Sequence, residues 1–196
     1  MAIDRGRLQL DFVTEHYVVR TLAPQDASSR WAGWLNDPVA ARMLNAKPRS
    51  FTLDELRAYI AGFDQTTRLL VGIFDRASGE HIGIMVGDII DEGRRIVPSV
   101  LIGEAAYRHI GVISELGDAL HGHFFDTLAF EAAVAYILPR NEAAIGLLQM
   151  RGWQLKQRLE GAKISATTGE KLDLLMYEIT KATWRSRRAA HSGGQS

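Results

Sequence analysis

The most informative pattern of the chain lies in the stretch Leu101-Ile102-Gly103-Glu104-Ala105-Ala106-Tyr107-Arg108-His109-Ile110-Gly111-Val112-Ile113-Ser114-Glu115. An apolar run ends at Ile102, a short loop follows, and a helical pattern opens at or just after Gly111. The first amides of a helix have no internal partner, and the helix dipole adds partial positive charge there. Such a turn can hold a pyrophosphate, because Gly111 lets the backbone approach and Arg108 offers a charged donor. The alternative is that Gly111 only shapes the turn and Arg108 is a solvated surface residue.

The segments before this stretch predict helices followed by a meander. Runs with strand propensity and turn signals between them predict antiparallel strands at Leu69–Phe74, His81–Ile90 and Arg95–Ile102. Pro98 lies inside the third run, which predicts an edge or a bulge rather than an unbroken central ladder. Thr52 and Glu55 have the spacing of a helix capping box. Further upstream, the pattern predicts a strand at His16–Leu22, a helix from Pro24 carrying Trp31, Trp34 and Leu35, and a short helix at Val39–Leu44.

The segments after the stretch complete a sheet. Leu116, Leu120 and Phe124 share one face of a predicted helix, Val112–Thr127. Next come a strand at Ala132–Leu138 that is apolar on both faces and a helix over 141–151 that Asn141 caps. Two strands, Trp153–Leu159 and Leu172–Ile179, close the sheet. The order of elements predicts one α+β domain over residues 1–184 with a mixed sheet, followed by a disordered basic tail over 185–196.

Composition excludes several classes of protein. The chain has 196 residues, with 23 basic and 23 acidic side chains, so the basic excess of a general nucleic-acid binder is absent. It has no cysteine, which excludes disulfides, thiolate nucleophiles and cysteine zinc sites. His121 and His123 are two apart on a helix and diverge, so no zinc pair is expected. Without a signal-peptide pattern or a long apolar run, we expect a cytoplasmic protein that does not enter membranes.

Three segments resemble the GNAT superfamily of acyl-CoA-dependent N-acyltransferases. Arg108 and Gly111 match its coenzyme A loop, Arg/Gln-x-x-Gly-x-Gly/Ala, and the run from Ile102 to Glu115 looks like the corresponding segment of the Rim-type branch. Asn141 followed by Gly152-Trp153 is similar to the family's Asn…Gly-Phe/Trp segment, and Trp34-Leu35-Asn36-Asp37-Pro38 is similar to the Rim-type Trp-Leu-x-Asp-Pro. The resemblance covers nearly the whole chain up to about Trp184.

The resemblance implies a fold and a cosubstrate. The GNAT fold is a mostly antiparallel mixed sheet of about seven strands, splayed between the fourth and fifth, with helices on both faces. It implies acetyl-CoA and no metal, a small-molecule or peptide amine as acceptor, and a homodimer as one option. The residues expected to bind the coenzyme are Leu101, Ile102, Gly103, Arg108, His109, Ile110, Gly111, Val112, Ile113 and Asn141.

The resemblance also suggests catalytic roles. The family draws its oxyanion donor from the backbone of the fourth strand, here near Leu101 to Gly103. Glu104 is the leading candidate for the general base; a surface ion pair is the plainer explanation for it. Asp88 and Asp91 are alternatives, although both also suit solvated hairpins. The family's proton-donating tyrosine falls on Leu148, which cannot donate, and a nearby serine position falls on Ala144, so no acid is assigned.

Three interpretations follow. The first is an active N-acetyltransferase whose acceptor is a protein N-terminus, an aminoglycoside-like amine, an amino sugar or a small amino acid. The second is a GNAT-fold binding or regulatory protein without turnover, suggested by departures from the family pattern at His109, Ile113 and Leu148. Ile113 would favour the second if it crowded the pyrophosphate, and the first if it turned into the core. The third is an unrelated α+β protein with a chance match.

Overall fold

A computed structural model describes residues 6–43, 45–47 and 49–192. The strands are β1 Asp11–Val13, β2 Tyr17–Thr21, β3 Arg68–Asp75, β4 His81–Ile90, β5 Arg95–Ile102, β6 Ala132–Ile137, β7 Gln154–Ile164 and β8 Lys171–Thr180. The helices are α1 Ser29–Gly33, α2 Pro38–Met43, α3 Leu53–Ala61, α4 Ile110–Gly122, α5 Glu142–Met150 and α6 Lys181–Ser192. None of the helices in the described ranges is long and apolar enough to cross a membrane.

The described strands lie in one mixed sheet, in the order β1-β2-β3-β4-β5-β6-β8-β7. Neighbouring strands are antiparallel except β5 and β6, which run parallel. The predicted meander is β3, β4 and β5, and the predicted mixed sheet is confirmed. The short strand β1, whose three residues carry little periodicity, was missing from the sequence-based prediction.

The sheet splays between β5 and β6 because of Pro98. The two strands pair only at Arg95↔Ala132 and Ile96↔Ala133. The Glu131 N–H donates to the Arg94 carbonyl at 2.8 Å, so the even-numbered residues of this segment direct their backbone groups toward β6. Pro98 is the next such residue after Ile96 and has no N–H with which to continue the ladder. Its register to β4, opposite Gly87, is unbroken, so Pro98 marks a free edge and not a bulge.

Helices cover both faces of the sheet. Along β3 the side chains alternate, so that Leu69 and Val71 join one buried cluster while Leu70 joins the other. The first cluster includes the apolar face of α4, partly buried residues of α5, and Trp184 of α6. The second includes Trp31 and Trp34 with the buried face of α3. The helices α1 and α3 therefore lie opposite α4, α5 and α6.

Local signals place several helix starts correctly. Thr52 and Glu55 form the predicted capping box, with Glu55 N–H donating to Thr52 Oγ1 at 3.2 Å and Thr52 N–H donating to Glu55 Oε2 at 2.8 Å. Asn141 Oδ1 accepts from the Ala144 N–H at 3.3 Å and caps α5. The predicted end of the second helix, Leu44, lies outside the described residues. The long predicted helix is α4 followed by a wider π turn over His123–Thr127.

The C-terminal segment differs from the sequence expectation. Residues 181–192 form α6, whereas the small, basic composition predicts a disordered tail from residue 185. Trp184 is buried against Phe125, with ring centroids 5.5 Å apart, and the Arg187 guanidinium donates to the Met150 carbonyl at 2.8 Å. These contacts are tertiary and leave no signal in composition. Residues 193–196 lie outside the described part.

Two histidines held uncharged should make the fold sensitive to acid. Burial lowers the pKa of His81 to about 4 and the pKa of His121 to about 3. Unfolded histidine titrates near 6.5, so below that pH the unfolded chain binds more protons than the folded one. The free energy of unfolding should therefore fall between pH 6.5 and 4, by up to about 1.4 kcal/mol per pH unit for each histidine.

Urea unfolding at several pH values measures this loss. In His81→Phe the aromatic packing against Phe74 is kept and the titration is removed. The variant should lose stability less steeply than the natural protein between pH 6.5 and 4.5. If the free energy of unfolding fell equally steeply with pH in both proteins, the lowered pKa of His81 would be contradicted.

Candidate active site

The splay opens a cleft of about 480 Å³ between β5 and β6. Pro98, Ser99 and Val100 line it on β5, and residues 135–138 line it on β6. Helices α4 and α5 close the cleft on one face of the sheet. Its volume lies within the range of ordinary small-molecule sites, so it can take an extended ligand between the two strands.

Backbone groups of β5 point into this cleft. The Gly103 N–H donates to the Ile82 carbonyl at 2.9 Å, so the odd-numbered residues of β5 bond to β4 and the even-numbered residues face the cleft. Because Pro98 has no N–H, the first donor past the splay point is the Val100 amide. The sequence-based expectation places the backbone donor near Leu101 to Gly103, and the register of β5 points the amides of Val100 and Ile102 into the cleft.

Helix α4 begins at the open end of the cleft without a side-chain cap. His109 is its N-cap residue, with φ −130° and ψ 163°, and makes no capping hydrogen bond, unlike the N-cap residues Ser28, Thr52 and Asn141. A Cβ on Gly111 would meet only the His109 ring, at 3.2 Å. The helix start is therefore open to an anion, with its amides and dipole available.

Ile113 turns inward. It is partly buried, packs against the main core cluster and lines the cleft. A bulky residue at this position therefore fills space between α4 and the sheet and does not crowd the loop. Val112, its neighbour, is fully buried in the same cluster. Ile110 opens the helix through its backbone.

Arg108 holds the end of β5 in place. Its Nε donates to the Ile102 carbonyl at 2.9 Å, one terminal nitrogen donates to the Gly103 carbonyl at 2.7 Å, and the other pairs with the Asp37 carboxylate. The guanidinium therefore links the loop to the Trp34–Pro38 segment. The structure differs here from the expectation that Arg108 reaches toward a phosphate, since its donors already have protein partners.

Glu115 and the Asn141 segment also match the family pattern; the first holds α4 in place and the second lines the cleft. Glu115 accepts hydrogen bonds from the His16 backbone N–H at 2.8 Å and from the His16 ring at 2.9 Å, which ties α4 to the β1–β2 turn. Asn141, Ala144 and Leu148 line the cleft from α5. Leu148 presents only carbon there, so the cleft has no proton donor at that position.

The carboxylates considered from sequence are engaged elsewhere. Glu104 Oε1 accepts from the Trp34 indole N–H at 2.9 Å and lies 3.8 Å from Arg30 Nε. Asp88 pairs with Arg68 at 3.0 Å, and Asp91 pairs with Arg95. None of these three side chains is among those that line the cleft. The structure thus gives Glu104 a role in positioning the end of β5 against Trp34.

The sequence pattern does not place four polar side chains in the cleft, where the structure has them. Tyr136 extends from β6 and is 41% exposed, and Lys163 extends from β7. His121 and Arg151 lie between α4 and α5 at the rear of the cleft. Among the described residues that line the cleft there is no aspartate or glutamate. The lining includes two cationic side chains, Arg151 and Lys163, so the cleft favours neutral or anionic ligand groups.

The cleft has a second opening, its mouth, on the face of the sheet opposite α4 and α5, and Asn45 fixes its position. Its Nδ2 donates to the Ile164 carbonyl at 2.7 Å, and its Oδ1 accepts from the Ala166 N–H at 3.1 Å. The segment after α2 is thereby tied to the β7–β8 hairpin, and Asn45 and Lys163 line this side of the cleft. The cleft therefore passes through the sheet, with α4 and α5 on one side and this mouth on the other. No group of three or more potential metal ligands occurs within the described ranges.

Comparisons with known proteins agree with this geometry. A family model described as an acetyltransferase (GNAT) domain matches residues 16–154. A search among proteins of curated function gave no match.

Solved structures share the fold at low sequence identity. A GCN5-related N-acetyltransferase from Brucella melitensis has a TM-score of 0.77 at 15% identity, covering 98% of this chain and 87% of its own. The ribosomal-protein-S5-alanine acetyltransferase from Vibrio fischeri gives 0.74 at 17%, covering 89% and 98%. Spermidine N-acetyltransferase from Vibrio cholerae, in complex with CoA and spermine, gives 0.72 at 17%, covering 86% and 98%.

Proposed function

Because the chain belongs to the GNAT acetyltransferase family, we propose that it moves an acetyl group from acetyl-CoA to the primary amine of a peptide N-terminus or a small molecule. One observation carries the proposal. The free Val100 amide and the uncapped start of α4 adjoin one cleft, which opens where Pro98 ends the β5–β6 ladder. Such a cleft offers a hydrogen-bond donor inside and an anion site at its entrance.

The residues present fit acetyl-CoA. The first-turn amides of α4, around Gly111, would hold the pyrophosphate, and the edge of β5 with Asn141 would border the pantetheine arm. The bound thioester supplies the acyl group: the amine nitrogen bonds to the carbonyl carbon and loses a proton, the carbon–sulfur bond breaks, and the departing sulfur gains a proton. The Val100 N–H would stabilise negative charge on the carbonyl oxygen.

Charge in the cleft favours an α-amine acceptor. A polyamine carries further ammonium groups that need carboxylate partners, and the described lining offers Lys163 and Arg151 instead. With no carboxylate at hand, the amine has to lose its proton to solvent. An α-amino group titrates near 7.7–8.0 and a lysine-type amine near 10.4, so the former is neutral far more often at physiological pH. This reasoning, with the Rim-type sequence pattern, supports a peptide N-terminus or a small amino acid.

Tyr136 is the phenol that we propose returns a proton to the departing sulfur. It lines the cleft from β6, and no other tyrosine is found among the described residues that line the cleft. Thiolates are good leaving groups, so general-acid help should be modest. Tyr136→Phe is expected to lower kcat about tenfold, at the low end of general-acid effects, with little change in acetyl-CoA affinity. Unchanged kcat would mean that water donates the proton.

Turnover with a pool of amines tests the function. Purified protein with acetyl-CoA, peptides with free N-termini, amino acids, amino sugars and polyamines should release CoA thiol and yield N-acetylated α-amines. Selective acetylation of polyamines would contradict the assignment of the acceptor. A folded protein that binds acetyl-CoA without turnover on any amine would favour the regulatory alternative, which Ile113 no longer supports because it packs inward.

A further inference from the structure

The rear wall of the cleft contains a buried cation with an unused donor. Arg151 follows α5, and its side chain is 12% exposed. The guanidinium crosses to α4 and lies over Gly117, where an added Cβ would come within 2.9 Å of Cζ. One terminal nitrogen pairs with Asp118, whose side chain is 75% exposed, while the buried Nε has no hydrogen-bond partner. A buried donor of a charged group is costly to leave without a partner, so the Arg151 guanidinium keeps hydrogen-bonding capacity that its protein partners do not use.

His121 lies beside Arg151 at the same wall. Its side chain is 6% exposed and packs against Phe125 and Trp153, with ring centroids at 5.8 Å and 5.5 Å. No hydrogen bond joins its ring to another described residue. Burial and the nearby Arg151 charge lower its pKa to about 3, so the ring is neutral at physiological pH. A neutral imidazole can donate one hydrogen bond from one nitrogen and accept one at the other.

Space continues behind this wall. A second cavity of about 650 Å³ lies between the end of α4, the end of α5 and α6, and Arg151 and His121 line both cavities. Arg187 and Arg188 line the second cavity as well. The two cavities meet at Arg151 and His121, so an acyl group longer than two carbons has space near these side chains. Three arginines and one carboxylate, Asp118, are among the described residues that line the second cavity, so the charge there is mainly positive.

We propose that this enzyme uses acyl-CoA donors whose acyl group ends in a carboxylate, such as succinyl-CoA, and that Arg151 binds that carboxylate. The inference rests on the proposed function and names its donor class. The amine mouth at Asn45 and Lys163 is on the opposite face of the sheet from α4 and α5, so a longer acyl group can point toward Arg151 while the amine attacks from the mouth. The bonds formed and broken are those of acetyl transfer. A carboxylate at this wall would accept a charge-assisted hydrogen bond from the Arg151 guanidinium, which lines the cleft.

Donor competition tests the proposal. The enzyme is assayed with one accepted α-amine and with acetyl-CoA, butyryl-CoA or succinyl-CoA, the last two being four-carbon acyl groups that differ in the terminal carboxylate. We expect kcat/KM for succinyl-CoA to exceed that for butyryl-CoA at least tenfold. In Arg151→Gln this ratio should fall to about one, and Arg151→Lys should retain part of it.

A matched control and the opposing results complete the test. Arg158→Gln removes a surface arginine that pairs with Asp173 at 2.7 Å, outside the cleft, and should keep the natural ratio. A natural enzyme that prefers butyryl-CoA, or an Arg151→Gln variant that keeps the succinyl preference, overturns the proposal while acetyl transfer stands. If a folded sample uses and binds none of the three donors, the proposed function itself is wrong.

Discussion

Replacing Val100 with proline is expected to lower kcat by about 10²–10³-fold, the usual cost of removing one oxyanion donor. The substitution removes the first backbone N–H that faces the cleft beyond Pro98 and leaves the β4 ladder intact, because that ladder uses the odd-numbered residues of β5. The preceding Ser99 is extended, as a residue before proline should be. Val100 is 38% exposed, so little core packing is lost. The measurement is steady-state kinetics with acetyl-CoA and an accepted amine.

Two neighbouring substitutions serve as controls for this result. Val100→Ala changes the side chain but keeps the N–H, so its kcat should stay close to the natural value. Ser99→Pro removes an amide that bonds to β4 and should instead destabilise the protein. If Val100→Pro retained full kcat in a folded protein, the Val100 amide would not be the oxyanion donor.

Replacing Gly103 with alanine is expected to destabilise the protein by about 3 kcal/mol or more, at the upper end of overpacking costs. An added Cβ would lie 2.0 Å from Cδ2 of Trp34, far inside van der Waals contact. Trp34 is 5% exposed, packs against Trp31 and His81, and donates to Glu104 at 2.9 Å. The end of β5 would have to move, and with it the carbonyl that Arg108 binds. Urea unfolding of both proteins gives the difference.

Gly146→Ala is the reference for this measurement. Gly146 lies inside α5 with nothing within 4 Å of an added Cβ, so alanine should stabilise the protein by about 0.5–1 kcal/mol through helix propensity. The two glycine-to-alanine substitutions should thus change the free energy of unfolding in opposite directions. A stability of Gly103→Ala within about 0.5 kcal/mol of the natural protein would contradict the packing described for Trp34.

Local signals predicted much of the fold. The capping box at Thr52 and Glu55, the cap at Asn141 and the strand–loop–helix around Gly111 each depend on residues a few positions apart. Pro98 predicted an edge or a bulge, and the structure has the edge, because Pro98 lacks the N–H that would continue the ladder to β6. The sequence did not show which amide would then face the cleft, because that depends on the register between β4 and β5.

The contacts that organise the site join distant residues. Arg108 and Asp37 are 71 positions apart, and Glu104 bonds to Trp34 across 70. The sequence predicts Arg108 as a phosphate ligand and Glu104 as a base. The protein partners that the structure gives both side chains come from tertiary packing, which local patterns do not show. Arg151 and His121 were likewise inaccessible to sequence reasoning: their surroundings come from the packing of α4 against α5. The helix α6 depends on burial of Trp184, which composition does not reveal.

Calorimetric titration of the natural protein and Gly111→Asp with acetyl-CoA tests whether the cleft and the start of α4 bind this cosubstrate. The added carboxylate lies in the first turn of α4, where it favours the helix but repels a pyrophosphate, so loss of binding would not reflect unfolding. We predict micromolar binding by the natural protein, at least tenfold weaker in Gly111→Asp. Absence of binding by the folded natural protein, or equal affinity in the variant, would contradict the assignment of this cleft and loop to acetyl-CoA.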